Sequence, residues 1–219
     1  MNGRIARMTG MSTARKSPDV LVLGAGVSGL ATAWALAARG LEVCVLDRGP
    51  AARESTWAGA GILSLLLPWH YAEPVVALAE RGRHLWPEWV GRLQGLTGLD
   101  AEYRVSGMLV ANASESAAAR AWGERHGRRV GNPRLARLLE SAVRALGVQV
   151  LPHTATTGLD VANGRLMGVQ TVGGRIACGR AVICAGAWSQ GLLGALTLGV
   201  DIRPVRGQIL LLAGRPGLL

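Results

Sequence analysis

The chain has no phenylalanine, one lysine and three cysteines in 219 residues. Cys44, Cys178 and Cys184 are odd in number and have no metal-ligand spacing, which excludes a complete disulfide framework and a zinc module. They read as buried reduced thiols, which implies a cytoplasmic setting. The four histidines, His70, His84, His126 and His153, form no set, so no metal site is expected. Only His70 lies in a stretch with other chemistry, and a structural role is its simpler reading. With Lys16 the single lysine, the formal net charge of +10 is an arginine charge. The arginines are scattered; their densest groups, Arg81/Arg83 and Arg125/Arg128/Arg129, accompany no nucleic-acid motif. Scattered cations give non-specific attraction at most, so no nucleic acid is expected as a partner. The seven tryptophans lack the spacing of a base-stacking platform. Trp86 and Trp89 read as helix-packing residues, and Trp188 as packing a helix after Gly186.

What is present is enough to build a core. Hydrophobic residues make up 49% and charged residues 17%, a globular balance for one large domain or two small ones. Val20–Ala38 is 19 residues without a charge, long enough by hydropathy to span a membrane. Three spaced glycines inside it, a β-branched run before them and a helix-forming run after argue instead for a buried strand, a turn and a buried helix. No membrane partner is expected. Residues 1–17 read as a disordered basic tail with Arg4, Arg7, Arg15 and Lys16. It is not a secretory signal, and Met8 and Met11 are alternative starts.

Periodicity and turn chemistry give the remaining elements. Residues 19–23 form a strand, 30–38 a helix stopped by Gly40, and 41–46 a second strand. Two helices are expected at 73–85 and 87–96, the second opened by Pro87. A short strand pair around Gly107 is expected within 102–111, then a helix at 114–125 that Ser114 caps. Asn132-Pro133 opens another helix to about Gly147, followed by a strand at 148–151. Strands at 154–161, 166–172 and 175–177 are separated by Asn163-Gly164 and Gly173-Gly174, both hairpin signals. A buried strand at 181–184, a short helix near Trp188 and a strand at 204–212 complete the pattern.

Gly24-Ala25-Gly26-Val27-Ser28-Gly29 matches G-x-G-x-x-G between that first strand and helix. In such a unit Gly24 makes the tight turn, Gly26 admits a pyrophosphate and Gly29 lets the helix pack on the strand. The amides of Val27 and Ser28 open a helix whose N-terminus attracts phosphate. Asp47 ends the second strand, 18 residues beyond Gly29, where a carboxylate accepts hydrogen bonds from adenosine ribose hydroxyls. An acid there disfavours a 2′-phosphate; Arg48 either softens that or flanks the adenine. The unit is a dinucleotide site and does not by itself separate NAD from FAD.

The next segment does. Glu54–Tyr71 reads ESTWAGAGILSLLLPWHY and resembles the flavin-contacting loop of the glycine oxidase and D-amino-acid oxidase family, especially bacterial thiamine-pathway glycine oxidases. Ala58, Gly59, Ala60 and Gly61 present bare backbone, as a flavin ring requires, and Ser55 and Thr56 offer hydroxyls to a pyrophosphate. The resemblance continues through Asp100–Val110, Gly131–Leu135, Thr154–Gly158, Ala181–Ser189 and Arg203–Leu211, nearly the whole chain after the tail. It implies FAD as cofactor, with Gly24, Gly26, Val27, Ser28, Gly29, Asp47, Arg48, Ser55, Thr56, Ala60, Gly61, Ile62, Thr156 and Gly186 as its site. Two departures stand out. The chain is shortened between Trp122 and Asn132, and it stops at Leu219, before the family's remaining substrate-domain strands. Catalytic and substrate-gripping residues are expected in that missing part, and none is assigned here.

The implied fold is α/β: a Rossmann-like FAD-binding domain (18–72, 130–162 and 178–200) with an incomplete α+β substrate domain (73–129, 163–177 and 201–219). The implied activity is oxidation of glycine or a related small amino acid to an imine, with dioxygen giving hydrogen peroxide, in thiamine biosynthesis. Sarcosine or a D-amino acid is the alternative substrate. A truncated FAD-binding fragment without turnover and, on the glycine motif alone, a nicotinamide-dependent dehydrogenase are the alternatives of other classes. The oligomeric state is left open.

Overall fold

A computed structural model describes residues 17–63, 70–107, 127–196, 199 and 201–208. The tail before Ser17, the helix expected at 114–125 and His126 lie outside these residues. Four short strands form a parallel sheet: β1 (Val20–Leu23), β2 (Val43–Leu46), β5 (Gln149–Leu151) and β9 (Ala181–Ile183). Their order is β5-β2-β1-β9, with Leu23 opposite both Leu46 and Ile183, so the strands end together on one side. β1 and β2 are buried throughout and apolar at every position, as central strands covered on both faces require.

Successive side chains of a strand point to opposite faces, and each face has its own cover. Val22 and Val45 meet α1 (Val27–Ala37) and the helix that Asn132-Pro133 opens, through Leu30, Ala33, Leu138 and Leu139. Leu21, Leu23, Cys44 and Leu46 meet Val169 and Cys178 of an antiparallel meander. The strands of that meander are β6 (Thr156–Ala162), β7 (Arg165–Thr171) and β8 (Gly174–Ala177). Asn163 and Gly164 both take positive φ, 51° and 71°, as the tight turn between β6 and β7 demands. The boundary drawn between residues 162 and 163 falls inside this hairpin. The result is three layers: helices, parallel sheet, meander.

Between β2 and β5 the chain forms α2 (Ser55–Ala58), α3 (Glu73–Thr97), β3 (Arg104–Val105), β4 (Arg128–Arg129) and α4 (Asn132–Ala145). The two helices expected at 73–85 and 87–96 are one helix with Pro87 inside it. An interior proline removes a hydrogen bond and crowds the carbonyl four residues back, at a cost of about 3 kcal/mol. Packing on both sides of Pro87 offsets it. Val90 and Leu93 are buried, Trp86 meets Trp89 edge-to-face at 5.1 Å, and Trp89 meets Trp34 of α1 at 6.2 Å. Gly98, left-handed at φ 70°, ends the helix.

The strand pair within 102–111 also differs over its described part. β3 pairs antiparallel with β4, and Ser106 and Gly107 both donate to the Gly127 carbonyl, so the partner lies beyond residue 126. Residues 204–208, the described part of the strand expected at 204–212, hold no strand. Val205 is fully outside the core and Pro204 has no N–H to donate. Ile202 is docked, its amide donating to the Gln190 side chain at 3.2 Å. After β9 come a 3-10 turn (Gly186–Trp188) and α5 (Ser189–Leu193). Among the described residues no helix is long and apolar enough to cross a membrane; Val20–Ala38 is β1, a loop and α1.

Candidate functional site

The strands β2, β1 and β9 end side by side, and a cleft of about 760 Å³ opens beyond them. Open α/β sheets take ligands at this place, outside the carboxyl ends of their strands. Gly24, Gly26, Val27 and Ser28 line the cleft, as do Asp47, Arg48, Ser55, Thr56, Thr156 and Gly186. Gly29, Ala60, Gly61 and Ile62 do not.

The three motif glycines are glycine for different reasons. Gly24 has φ 113°, and a Cβ there would overlap the Cys184 carbonyl. A Cβ on Gly29 would overlap the Gly24 carbonyl oxygen. Those two positions are closed by the protein itself. Gly26 is different: its nearest neighbour would be the Thr56 hydroxyl at 3.4 Å, an ordinary contact, and its φ of −73° suits any residue. The protein leaves that space open, facing the cleft.

Gly26 caps α1, whose first amides lack intrahelical acceptors. The Val27 amide donates to Thr56 Oγ1 at 2.9 Å, which leaves the Thr56 O–H as a donor. Ser28, exposed in the next position, carries the helix's partial positive charge. The site therefore offers an anion a helix N-terminus and a hydroxyl, with no cavity-filling side chain at Gly26. A dinucleotide's pyrophosphate fits that set.

Asp47 has a structural duty as well. Its Oδ2 accepts from the Ala25 amide at 2.7 Å and its Oδ1 from the Gly49 amide at 2.9 Å. The Asp47 carbonyl accepts from Thr154 at 2.7 Å, tying β2 to the chain after β5. A carboxylate has about four acceptor positions, so about two remain for a ligand in the cleft that Asp47 lines.

The small-residue loop after α2 sits beside the cleft rather than in its lining. Gly61 has φ 75°, accepts from the Val130 amide at 2.9 Å, and its Cβ would overlap the Val130 carbonyl. A Cβ on Gly59 would strike the Asn132 side-chain amide. Ile62 bridges Arg129 and is half exposed. Gly59 and Gly61 thus dock on Asn132 and Val130, at the entry to α4. Residues 64–69 of the same segment lie outside the described residues. His70 is exposed and lines neither the cleft nor a cluster of metal-ligating groups among the described residues.

Several lining residues carry no motif. Thr154, Ala155, Cys184 and Ile202 contribute wall. Glu54 pairs with Arg48 at 2.7 Å, and the Arg48 guanidinium stacks 3.6 Å over the Trp188 ring. Trp188 is 46% exposed and lies at the cleft. The only hint in sequence was its place just after Gly186. Burial pushes the Cys184 thiol up from its ordinary value, partly countered by a hydrogen bond with Thr32, and burial likewise pushes up Cys178. None of the three cysteines is in a disulfide.

The chain is 37% identical to a glycine oxidase of Pseudomonas putida over 89% of its own length and 62% of the relative's. It is 32% identical to the bifunctional protein ThiO/ThiG of Trichormus variabilis, over 88% of this chain and 34% of that one. The chain thus spans less than two thirds of these relatives. The solved structure of a Bacillus cereus glycine oxidase superposes with a TM-score of 0.73 at 24% identity, covering 82% of this chain and 58% of the other; it shows a shared fold. The family profile described as FAD dependent oxidoreductase matches residues 19–133 and 114–219. The chain belongs to the FAD dependent oxidoreductase family.

Proposed function

We propose that the cleft holds FAD and that the chain forms the cofactor-binding part of an oxidase for glycine or a related small amino acid. The observation that carries this reading is the open space at Gly26, set between a helix N-terminus and Thr56, where the protein alone has no need of glycine. Family membership and the glycine oxidase relatives support FAD over a nicotinamide and glycine over other amines. The proposed FAD domain comprises 18–72, 130–162 and 178–200, and the proposed partial substrate domain 73–129, 163–177 and 201–219. Thiamine biosynthesis is the proposed context and the cytoplasm the proposed compartment, the latter supported by three cysteines outside any disulfide.

When bound, FAD supplies the two-electron oxidation of the amine to an imine and passes the electrons to dioxygen as hydrogen peroxide. The chain's own work is to hold and orient. The N-terminus of α1, with Ser28 and the Thr56 hydroxyl, neutralises the pyrophosphate. Asp47 keeps the glycine loop closed through Ala25 and takes the ribose hydroxyls on its remaining lone pairs. Thr156 and Gly186 approach from the far walls.

The test is spectroscopic. The purified chain, incubated with FAD and freed of excess, is expected to show flavin absorbance between roughly 350 and 500 nm. Anaerobic glycine is expected to bleach it. Bands that persist in glycine, sarcosine and D-alanine alike would make the chain a binding fragment without turnover. Absence of bands would overturn the cofactor assignment itself.

A further inference from the structure

The sheet order places β1 between β2 and β9, so the glycine loop leaving β1 is flanked by the ends of two other strands. Arg48 stands just past the end of β2 and Trp188 in the turn just past β9. Neighbouring strands lie about 4.8 Å apart, so those two ends are roughly 10 Å from each other with the glycine loop between. Yet the Arg48 guanidinium stacks on the Trp188 ring at 3.6 Å. The contact therefore spans the end of β1, above the glycine loop. Glu54, at the N-cap of α2, fixes the guanidinium from a third direction at 2.7 Å.

Exposure places this bridge at the mouth of the cleft rather than its floor. The side chains of Arg48 and Glu54 are 45% and 61% exposed and Trp188 is 46% exposed, whereas Leu23 and Leu46 beneath are buried. All five line the same cleft. Each contact is of the weak kind, an exposed ion pair and an exposed cation–π stack, so the bridge opens readily and recloses. We infer that Arg48, clasped by Trp188 and Glu54, is a strap across the mouth of the dinucleotide cleft that must part for the cofactor to enter or leave. Arg48 is then a gating residue as well as part of the cofactor's site. This rests on the dinucleotide reading of the cleft.

The two ideas fail separately. Stopped-flow flavin fluorescence on the full chain gives association and release rates for FAD in wild type, Trp188→Ala, Arg48→Gln and the double variant. The expected result is that Trp188→Ala speeds both association and release by about tenfold, leaving Kd within about threefold, while Arg48→Gln speeds association by a similar factor and also raises Kd through its own lost contact with the cofactor. The double variant is expected to be no faster than Arg48→Gln, because the two side chains form one barrier. Glu54→Gln is expected to fall between wild type and Arg48→Gln. Rates unchanged in both single variants would overturn the strap. So would faster release with unchanged association, which would make Arg48 and Trp188 plain contacts, or additive effects in the double variant. Failure of wild type to bind FAD would overturn the cofactor reading and the strap with it.

Discussion

Two glycine-rich segments meet near the cleft, and they use glycine differently. In the loop 24–29, Gly24 is closed off by the Cys184 carbonyl and Gly29 by the Gly24 carbonyl, while Gly26 faces open space. In the loop 58–61, both Gly59 and Gly61 are closed off, by Asn132 and Val130. The first loop has a position the fold does not need; the second has none. A glycine reports on a ligand only where the protein's own atoms leave it room. By that standard the first loop speaks for a ligand, while the glycines of the second also dock on Val130 and Asn132 at the entry to α4.

The comparison breaks most visibly at the closed positions. Gly61→Ala meets both a left-handed backbone and the Val130 carbonyl, and is expected to cost about 3 kcal/mol of stability. Gly29→Ala, blocked by the Gly24 carbonyl, is expected to cost a similar amount through a splayed α1. Urea denaturation of the two variants checks this. Should either unfold at the wild-type midpoint, the packing account of that glycine fails.

A smaller effect is expected at Asp47, which serves the first loop from outside. Asp47→Asn keeps one carbonyl acceptor and turns an N–H toward the other amide, so Ala25 or Gly49 loses its partner. The expected loss is about 2 kcal/mol, even without cofactor. A stability loss confined to the FAD-loaded protein would instead make Asp47 a ligand contact alone.

The smallest effect concerns Cys178, on the sheet face away from the helices. Burial raises its pKa above the ordinary 9.0, so the folded chain holds the proton longer than the unfolded one. Its contribution to stability is therefore complete below pH 9 and is lost as pH rises through the raised folded value. Relative to Cys178→Val, wild type is expected to lose about 1 kcal/mol or less between pH 7.5 and 10, read from paired denaturation curves. An equal pH dependence in both proteins would remove the cysteine from the account.

Much of this structure was legible where the determinants are local. The β1–α1–β2 unit follows from an apolar run, spaced glycines and a terminal acid, and the meander from Asn163-Gly164 and Gly173-Gly174. Legibility failed where distant packing decides. Pro87 looks like a helix start, but Trp34, far away on α1, holds Trp89 and keeps the helix whole. In the site, the same division holds. Gly26 and Thr56 were recognisable from motif and resemblance, whereas the Arg48–Trp188 contact joins strands adjacent to β1 only after the sheet has formed. The docking of Gly59 and Gly61 on Asn132 and Val130 was likewise invisible in a run of small residues.

The most direct measurement is flavin occupancy of Gly26→Val beside wild type, with the unfolding midpoint of each taken without FAD. The account predicts a variant that folds, its stability within about 1 kcal/mol of wild type because Gly26 sits at an open N-cap. It also predicts FAD affinity reduced on the order of a hundredfold by side-chain atoms in the pyrophosphate's place. A folded Gly26→Val chain that keeps full flavin occupancy would contradict it.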